Sequence, residues 1–239
     1  MKALRTTIST YAITLLTSLG LTTTSLQAGS SDFAGIYGAL NASAGGGQIS
    51  GTHTDSDNQV NEGTVGGVYP LAGYEVGFNL PLGSVFFLGA GHSWSASGSA
   101  DLAHSKGDAL GGSVAGQKGG GAQDGASISS FRLKASNLKE VYIMPSISIY
   151  DNSAVYVKLG RSIADLTATG NVTGNPGNLT GDLLGIGTIA MTESGIFIKT
   201  EGSVTRFNDI TIVGVSGTSG RVDGEPQVVA GTVAIGFKF

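Results

Sequence analysis

Apolar side chains alternate with small or polar ones along several segments of the chain. In residues 72–80 one set of positions holds Ala, Tyr, Val, Phe and Leu, and the other set holds Gly, Glu, Gly and Asn. Residues 229–239 repeat this pattern up to the final Phe239. Successive side chains on a β-strand point to opposite faces. Each segment is therefore predicted to be a strand with one apolar face and one face of small or polar residues.

The same pattern, with varying clarity, predicts eight strands. They cover residues 33–43, 65–80, 85–95, 139–150, 155–166, 182–191, 196–207 and 228–239. In a soluble sandwich the apolar face would point inward, but Gly, Ala, Ser and Thr are a poor solvent-facing set. They suit the narrow lumen of a barrel whose apolar face contacts lipid. The pattern predicts an all-β fold, an eight-stranded antiparallel up-and-down transmembrane β-barrel.

The segments between the predicted strands alternate in length. Residues 81–83, 151–153 and 193–195 are short and rich in turn-forming residues. Long polar stretches lie between them, at 44–64, 96–138, 167–181 and 208–227. This alternation is typical of outer-membrane barrels, which have short periplasmic turns and long external loops. Residues 127–134 alternate weakly and are predicted to extend the fourth strand beyond the membrane.

Composition supports export and membrane insertion. Charged residues make up 13% of the chain, below the roughly 25% usual in soluble domains, and 40 residues are glycine. The basic, then apolar, N-terminal segment 1–28 predicts a signal peptide, which leaves 29–239 as one barrel domain. The same composition would also suit a secreted β-solenoid or adhesin. The chain has no cysteine and therefore no disulfide. Its net charge of −4, without Lys/Arg clusters, argues against nucleic-acid binding.

Three short segments carry a family resemblance. Residues 154–160 read Ala-Val-Tyr-Val-Lys-Leu-Gly, residues 199–201 read Lys-Thr-Glu, and the chain ends in Val-Ala-Ile-Gly-Phe-Lys-Phe. In these patches the chain resembles the OmpA and opacity-type small bacterial outer-membrane β-barrels. The resemblance implies that the outward-facing Phe239 acts as the assembly signal that the barrel assembly machinery recognises.

Strand parity predicts that four charged residues face the lumen, namely Glu75, Lys158, Lys199 and Glu201. The interior of an eight-stranded barrel is only wide enough for side chains to fill it. Buried charges are costly unless they are paired, so we expect a salt-bridge network that plugs the barrel. The alternative is a narrow gated pore lined by the same groups.

Catalytic and metal-binding sites are less well supported by the sequence. His92 and Ser93 are adjacent, so their side chains should point to opposite faces, which is unsuited to catalysis; His53 and His104 fall in predicted loops. The first loop contains five oxygen-bearing side chains that could hold Ca²⁺, namely Asp55, Asp57, Asn58, Asn61 and Glu62. A solvated acidic loop is the simpler interpretation. No cofactor is expected. Six aromatic residues are expected in interfacial girdles: Tyr37, Trp94, Tyr142, Tyr156, Phe207 and Phe239.

These observations predict a barrel in the bacterial outer membrane that has a structural or surface-interaction role through its external loops. Its expected partners are outer-membrane lipids, the barrel assembly machinery and an extracellular ligand or host surface. The first alternative is a small pore. The second is a membrane-embedded lipid-modifying enzyme, although catalysis is not expected.

Overall fold

The computed structural model describes residues 29–54, 60–97, 100–104, 131–170, 172–173, 177–214 and 221–239. A 3₁₀ turn at Ser30–Phe33 precedes the strands. The strands in this part of the chain are β1 Gly35–Thr54, β2 Val60–Pro81, β3 Phe86–Ser97, β4 Ala100–His104, β5 Phe131–Tyr150, β6 Ser153–Gly170, β7 Val172–Thr173, β8 Gly177–Met191, β9 Ile196–Phe207, β10 Ile210–Gly214 and β11 Arg221–Lys238. No helix in these ranges is both long enough and apolar enough to cross a membrane.

Eight of the strands close into a barrel. The order β1-β2-β3-β5-β6-β8-β9-β11 is antiparallel throughout, and β11 pairs back onto β1. The predicted eight-stranded antiparallel barrel is therefore confirmed. The short strands extend its wall at one end, where β4 pairs with β5, and β10 pairs with both β11 and β7.

The stagger of the strands sets the shape of the barrel. A row of opposed residues starts at Val76 on β2, passes around the wall through Arg161 and Gln227, and returns to β2 at Gly66, ten residues away. With eight strands, spaced about 4.8 Å apart and rising about 3.3 Å per residue, this offset corresponds to a strand tilt of about 40°. That tilt lies within the range of transmembrane barrels.

The polarity of the two faces of the barrel wall is the reverse of that in a soluble protein. The large side chains that face outward are apolar and exposed, among them Leu40 at 68% and Ile235 at 57% exposure. The inward face buries charged residues such as Lys199, which is 2% exposed. On β11 the outward positions are apolar from Phe239 up to Val229, and then become polar at Gln227. This apolar surface is what a lipid-facing wall requires.

The strands extend well into the ranges predicted as loops, which corrects those boundaries. β1 and β2 have 20 and 22 residues, whereas about 9–11 tilted residues span a bilayer. Their upper parts pair in register from Ser50↔Thr64 to Thr54↔Val60, within the predicted loop 44–64. The backbone hydrogen-bond ladder does not require apolar side chains, and polar pairs such as Ser50–Thr64 at 3.0 Å supplement it. Residues 135–138, 167–170, 177–181, 210–214 and 221–227 are also strand rather than loop. Residues 131–134 belong to β5, in agreement with the predicted extension of the fourth strand.

The girdle prediction is wrong for four aromatic residues. Tyr37, Tyr142, Tyr156 and Phe207 are buried inside the barrel. Each has the same strand parity as an inward-facing neighbour, and parity decides the face whatever the side chain. Outward aromatic residues lie at two different heights. The tilted rings of Tyr74 and Trp94, with centroids 4.9 Å apart, lie far from the tight turns, whereas Phe86, Tyr150 and Phe239 lie near the turns.

The interior is filled in three layers. Near the tight turns lies an apolar cluster that includes Phe33, whose ring stacks on Phe87 with centroids 4.9 Å apart. Phe33 belongs to the 3₁₀ turn rather than to the first strand, where it had been predicted. A second apolar cluster fills the opposite end and includes Leu179 and Phe207. Between the clusters lie the charged residues.

Candidate functional site in the barrel interior

Alternation along four strands brings five charged side chains to one level of the interior. β2 supplies Glu75, β5 supplies Glu140, β6 supplies Lys158, and β9 supplies both Lys199 and Glu201. The two residues on β9 are two positions apart, so they share the inward face. The structure thus brings together all four interior charges proposed from the sequence and adds Glu140.

The charges form two groups of ion pairs. Lys199 Nζ lies 2.5 Å from Oε1 and 2.6 Å from Oε2 of Glu75. Lys158 Nζ bridges two carboxylates, at 2.8 Å from Glu140 Oε2 and 3.0 Å from Glu201 Oε1. All of these side chains except Glu140 are almost fully withdrawn from solvent. Such pairs are energetically tolerable only because every ammonium group has a carboxylate partner.

Tyrosine hydroxyl groups link the ion pairs to the apolar layer below. Tyr156 donates to Glu201 Oε2 at 3.0 Å, and Tyr142 donates to Glu75 Oε2 at 3.3 Å. The Tyr37 and Tyr142 hydroxyl oxygens lie 3.2 Å apart. Because Tyr142 donates its one proton to Glu75, Tyr37 is the donor in that pair. Lys158 Nζ also lies 4.4 Å from the centre of the Tyr142 ring, close enough for a cation–π contact. The tyrosines therefore join the two ion-pair groups into one network.

Glu140 and its partner Ser93 are not among the interior residues proposed from the sequence; the Ser93 hydroxyl donates to Glu140 Oε2 at 3.0 Å. The signal was available, because Glu140 has the same parity as the inward-facing Tyr142 and Met144. With Glu140 included, three carboxylates face two ammonium groups, so the network is not the balanced set that was expected. Parity also places Ser93 inside, which the residue alternation on β3 predicts.

A small polar cavity adjoins the network on the side away from the tight turns. Its volume is about 50 Å³, and its lining includes Ser43, Ser203 and Thr232. A cavity of this size and polarity holds water but not a larger ligand. Below it, the next void is about 10 Å³, between Phe33, Tyr37 and Phe197. The described interior is therefore filled, with room for a few solvent molecules at its centre.

The weaker sequence candidates do not converge on a site. His92 faces outward with Nδ1 2.6 Å from the carbonyl oxygen of Glu140, whereas Ser93 faces inward. The side chains of His53 and His104, and residues 55–59 with Asp55, Asp57 and Asn58, lie outside the described part of the structure. Within that part, no group of three or more His, Cys, Asp or Glu side chains could hold a metal ion.

Comparison with solved structures identifies the architecture. The outer membrane protein OprG from Pseudomonas aeruginosa superposes with a TM-score of 0.51 at 11% identity, covering 90% of this chain and 100% of OprG. The fold is that of an outer-membrane β-barrel. At this identity the likeness concerns the fold of the barrel alone.

Two further outer-membrane barrels match at TM-scores too low to support an argument. The protease OmpT from Escherichia coli has a TM-score of 0.42 at 9% identity, covering 86% of this chain and 97% of OmpT. Ail, the attachment invasion locus protein of Yersinia pestis, has 0.34 at 9% identity, covering 81% and 97%. No family model and no curated protein sequence matches this outer-membrane barrel.

Proposed function

We propose that the protein is a closed bacterial outer-membrane barrel with a structural or surface-interaction role, exerted through the end that projects beyond the membrane. The main observation in support of this proposal is the filled interior, where a charged network lies between two apolar clusters. Ligand recognition therefore falls to the projecting end and its loops. Export of the barrel after removal of residues 1–28 belongs to the same proposal.

The interior supports a closed barrel rather than the alternative pore. An ion crossing the lumen would have to pass the apolar layer around Phe33, Phe87 and Met144, all about 1% exposed. It would then have to pass the second apolar layer, which contains Leu133 and Leu179. Apolar constrictions prevent conduction by excluding water. The central charges are therefore better suited to holding the wall together than to lining a path.

The projecting end has the properties of a rigid interaction platform. Its inner face is packed by apolar residues, among them Ile49, Leu166 and Ile212. On its outer face, beside exposed valines such as Val60 and Val213, Asp223 accepts hydrogen bonds from Arg221 Nε at 2.6 Å and from Thr211 at 2.5 Å. These bonds, first of all those from Arg221, hold the pKa of Asp223 below its ordinary value. A sheet that is packed inside and joined by such hydrogen bonds outside presents its loops at fixed positions.

Planar-bilayer recording of the purified, refolded protein tests this proposal. We expect no stable conductance from the native barrel. A porin of known conductance, reconstituted in the same bilayers, shows that the assay detects a pore when one exists. Steady conductance of the unmodified barrel would refute the closed-barrel proposal in favour of the pore.

The location is tested separately by cell fractionation. The mature protein is expected with the outer membrane and should migrate differently on gels before and after heating. Recovery from the soluble periplasm would contradict the membrane assignment. Binding of cells that produce the barrel to a panel of immobilised glycans and host matrix proteins, compared with cells carrying the empty vector, then tests the interaction role.

A further inference from the structure

A groove interrupts the lipid-facing wall of the barrel. Gly202 on β9 and Gly231 on β11 are directly opposed, and both face outward. A Cβ atom added to either glycine would meet nothing within 4 Å, so their missing side chains leave open space. The depression has a volume of about 350 Å³ and is bordered by Ile186, Thr200 and Val233.

The groove lies inside the apolar band, in the half away from the tight turns. Gly202 is six residues beyond the start of β9 at Ile196. Its partner Gly231 on β11 lies between the outward-facing Val229 and Val233. The wall here would face the lipid chains of a single leaflet. A depression at that depth is filled most simply by an acyl chain, because water is absent and an empty groove forfeits packing contacts.

A cationic cluster lies where the apolar band ends, on the same side of the barrel. Arg161, Asp182 and Arg206 are outward-facing partners on the adjacent strands β6, β8 and β9. Arg161 Nη1 lies 2.6 Å from Asp182 Oδ1, and both side chains are largely exposed. Lys139 lies on the next strand, β5, beside the same level. These residues are three cations and one carboxylate, and Glu225 on β11, two residues from the Arg206 partner Gln227, is a second carboxylate nearby.

The spacing between the groove and the cationic cluster matches that between an acyl chain and the headgroup of one lipid. Arg206 is four residues from Gly202 on β9, about 13 Å along the strand. A headgroup at the edge of the apolar band would thus contact the cluster while its chain descended into the groove. Guanidinium groups recognise phosphate oxygens through paired hydrogen bonds, and basic pockets at the membrane surface bind anionic headgroups.

We propose that this face of β6, β8, β9 and β11 binds a phosphorylated lipid. The cationic cluster holds the phosphate, and one acyl chain occupies the groove at Gly202 and Gly231. The inference requires membrane insertion but is independent of whether the lumen conducts or the loops bind a ligand.

Native mass spectrometry of the detergent-released barrel provides the test, with phosphatidic acid as the probe and phosphatidylcholine as the neutral comparison. The unmodified protein should retain phosphatidic acid preferentially. Arg206→Gln should weaken retention by about ten-fold, the effect of losing one hydrogen-bonded charge contact. Gly202→Leu, which fills the groove, should weaken retention of both lipids. Arg221→Gln, which breaks an exposed ion pair beyond the apolar band, should change nothing.

Each variant is first checked for heat-modifiable migration as a sign of folding. If Gly202→Leu does not fold, the double variant Arg161→Gln with Arg206→Gln tests the headgroup contact alone. Equal retention of phosphatidic acid by the unmodified barrel and the arginine variants would overturn the proposal, as would equal retention of the two lipids. Displacement of bound phosphatidic acid by inorganic phosphate alone would also overturn it, because the site would then bind a free anion rather than a lipid.

Discussion

Replacing Lys199 with Met tests the interior network most directly. Methionine keeps an unbranched apolar side chain but removes the ammonium group that contacts both carboxylate oxygens of Glu75. The Lys199 and Glu75 side chains are 2% and 3% exposed, so solvent cannot replace the partner that Glu75 loses. Among the described contacts, the carboxylate then keeps only the Tyr142 hydroxyl at 3.3 Å. The variant therefore leaves a buried charge almost uncompensated.

The expected loss of unfolding free energy follows from that burial. Removing one partner of a buried ion pair costs about 3–5 kcal/mol, whereas replacing both with apolar residues is often neutral. The double variant Lys199→Met with Glu75→Leu should therefore recover most of the loss, apart from about 1–3 kcal/mol for the orphaned Tyr142 hydroxyl. Arg221→Met is the matched control, because its pair with Asp223 is 59% and 40% exposed. An exposed pair contributes about 0–1 kcal/mol.

Urea unfolding in liposomes, followed by tryptophan fluorescence and gel migration, measures these free energies. Trp94 is the single tryptophan and lies on the outer wall, so its emission reports exit from the lipid. The expected order of stability is Arg221→Met close to the native protein, then the double variant, then Lys199→Met. If Lys199→Met were no less stable than Arg221→Met, the ion pair would contribute nothing, and the network would not be what holds the interior together.

Three further predictions concern packing, assembly and topology. Gly187→Ala should destabilise the barrel by about 1–3 kcal/mol, because its Cβ would clash with the Thr200 carbonyl oxygen and the Tyr156 hydroxyl. Gly202→Ala meets open space and should be neutral in the same urea assay. Phe239→Ala should lower the amount of barrel in the outer membrane, measured by immunoblotting against Lys238→Ala; equal amounts would count against an assembly signal at this position. Proteolysis of intact cells should cut within 96–138 or 208–227 and spare the turn at 151–153; cleavage of that turn from outside would mean an inverted orientation.

The strand count and the facing of side chains were predictable from the chain itself. Alternation is a local property, because each residue's face is set by its neighbours along one strand. For this reason β9 was predicted at its observed bounds, 196–207. Glu75, Lys158, Lys199 and Glu201 were placed on inward faces for the same reason. The errors at Tyr37, Tyr142 and Tyr156 came from letting residue type override parity.

The ends of the strands could not be predicted in this way. Segments such as 44–54 are rich in Gly, Ser and Thr, which is typical of loops, yet they pair on both sides within β1. Their strand character depends on neighbours that are distant in sequence. The apolar residues that pack inside this extension, such as Ile49 and Leu179, come from different strands and meet only in the closed barrel.

What the sequence determined by itself was which residues face the lipid and which face the lumen, since a period of two is sufficient for that. Which charges pair was decided only by the closed barrel. The stagger of ten residues around eight strands brings Lys199 on β9 to the level of Glu75 on β2, 124 residues away, and brings Glu140 to Lys158. That level depends on the register of every strand between them, and register is a property of the whole sheet.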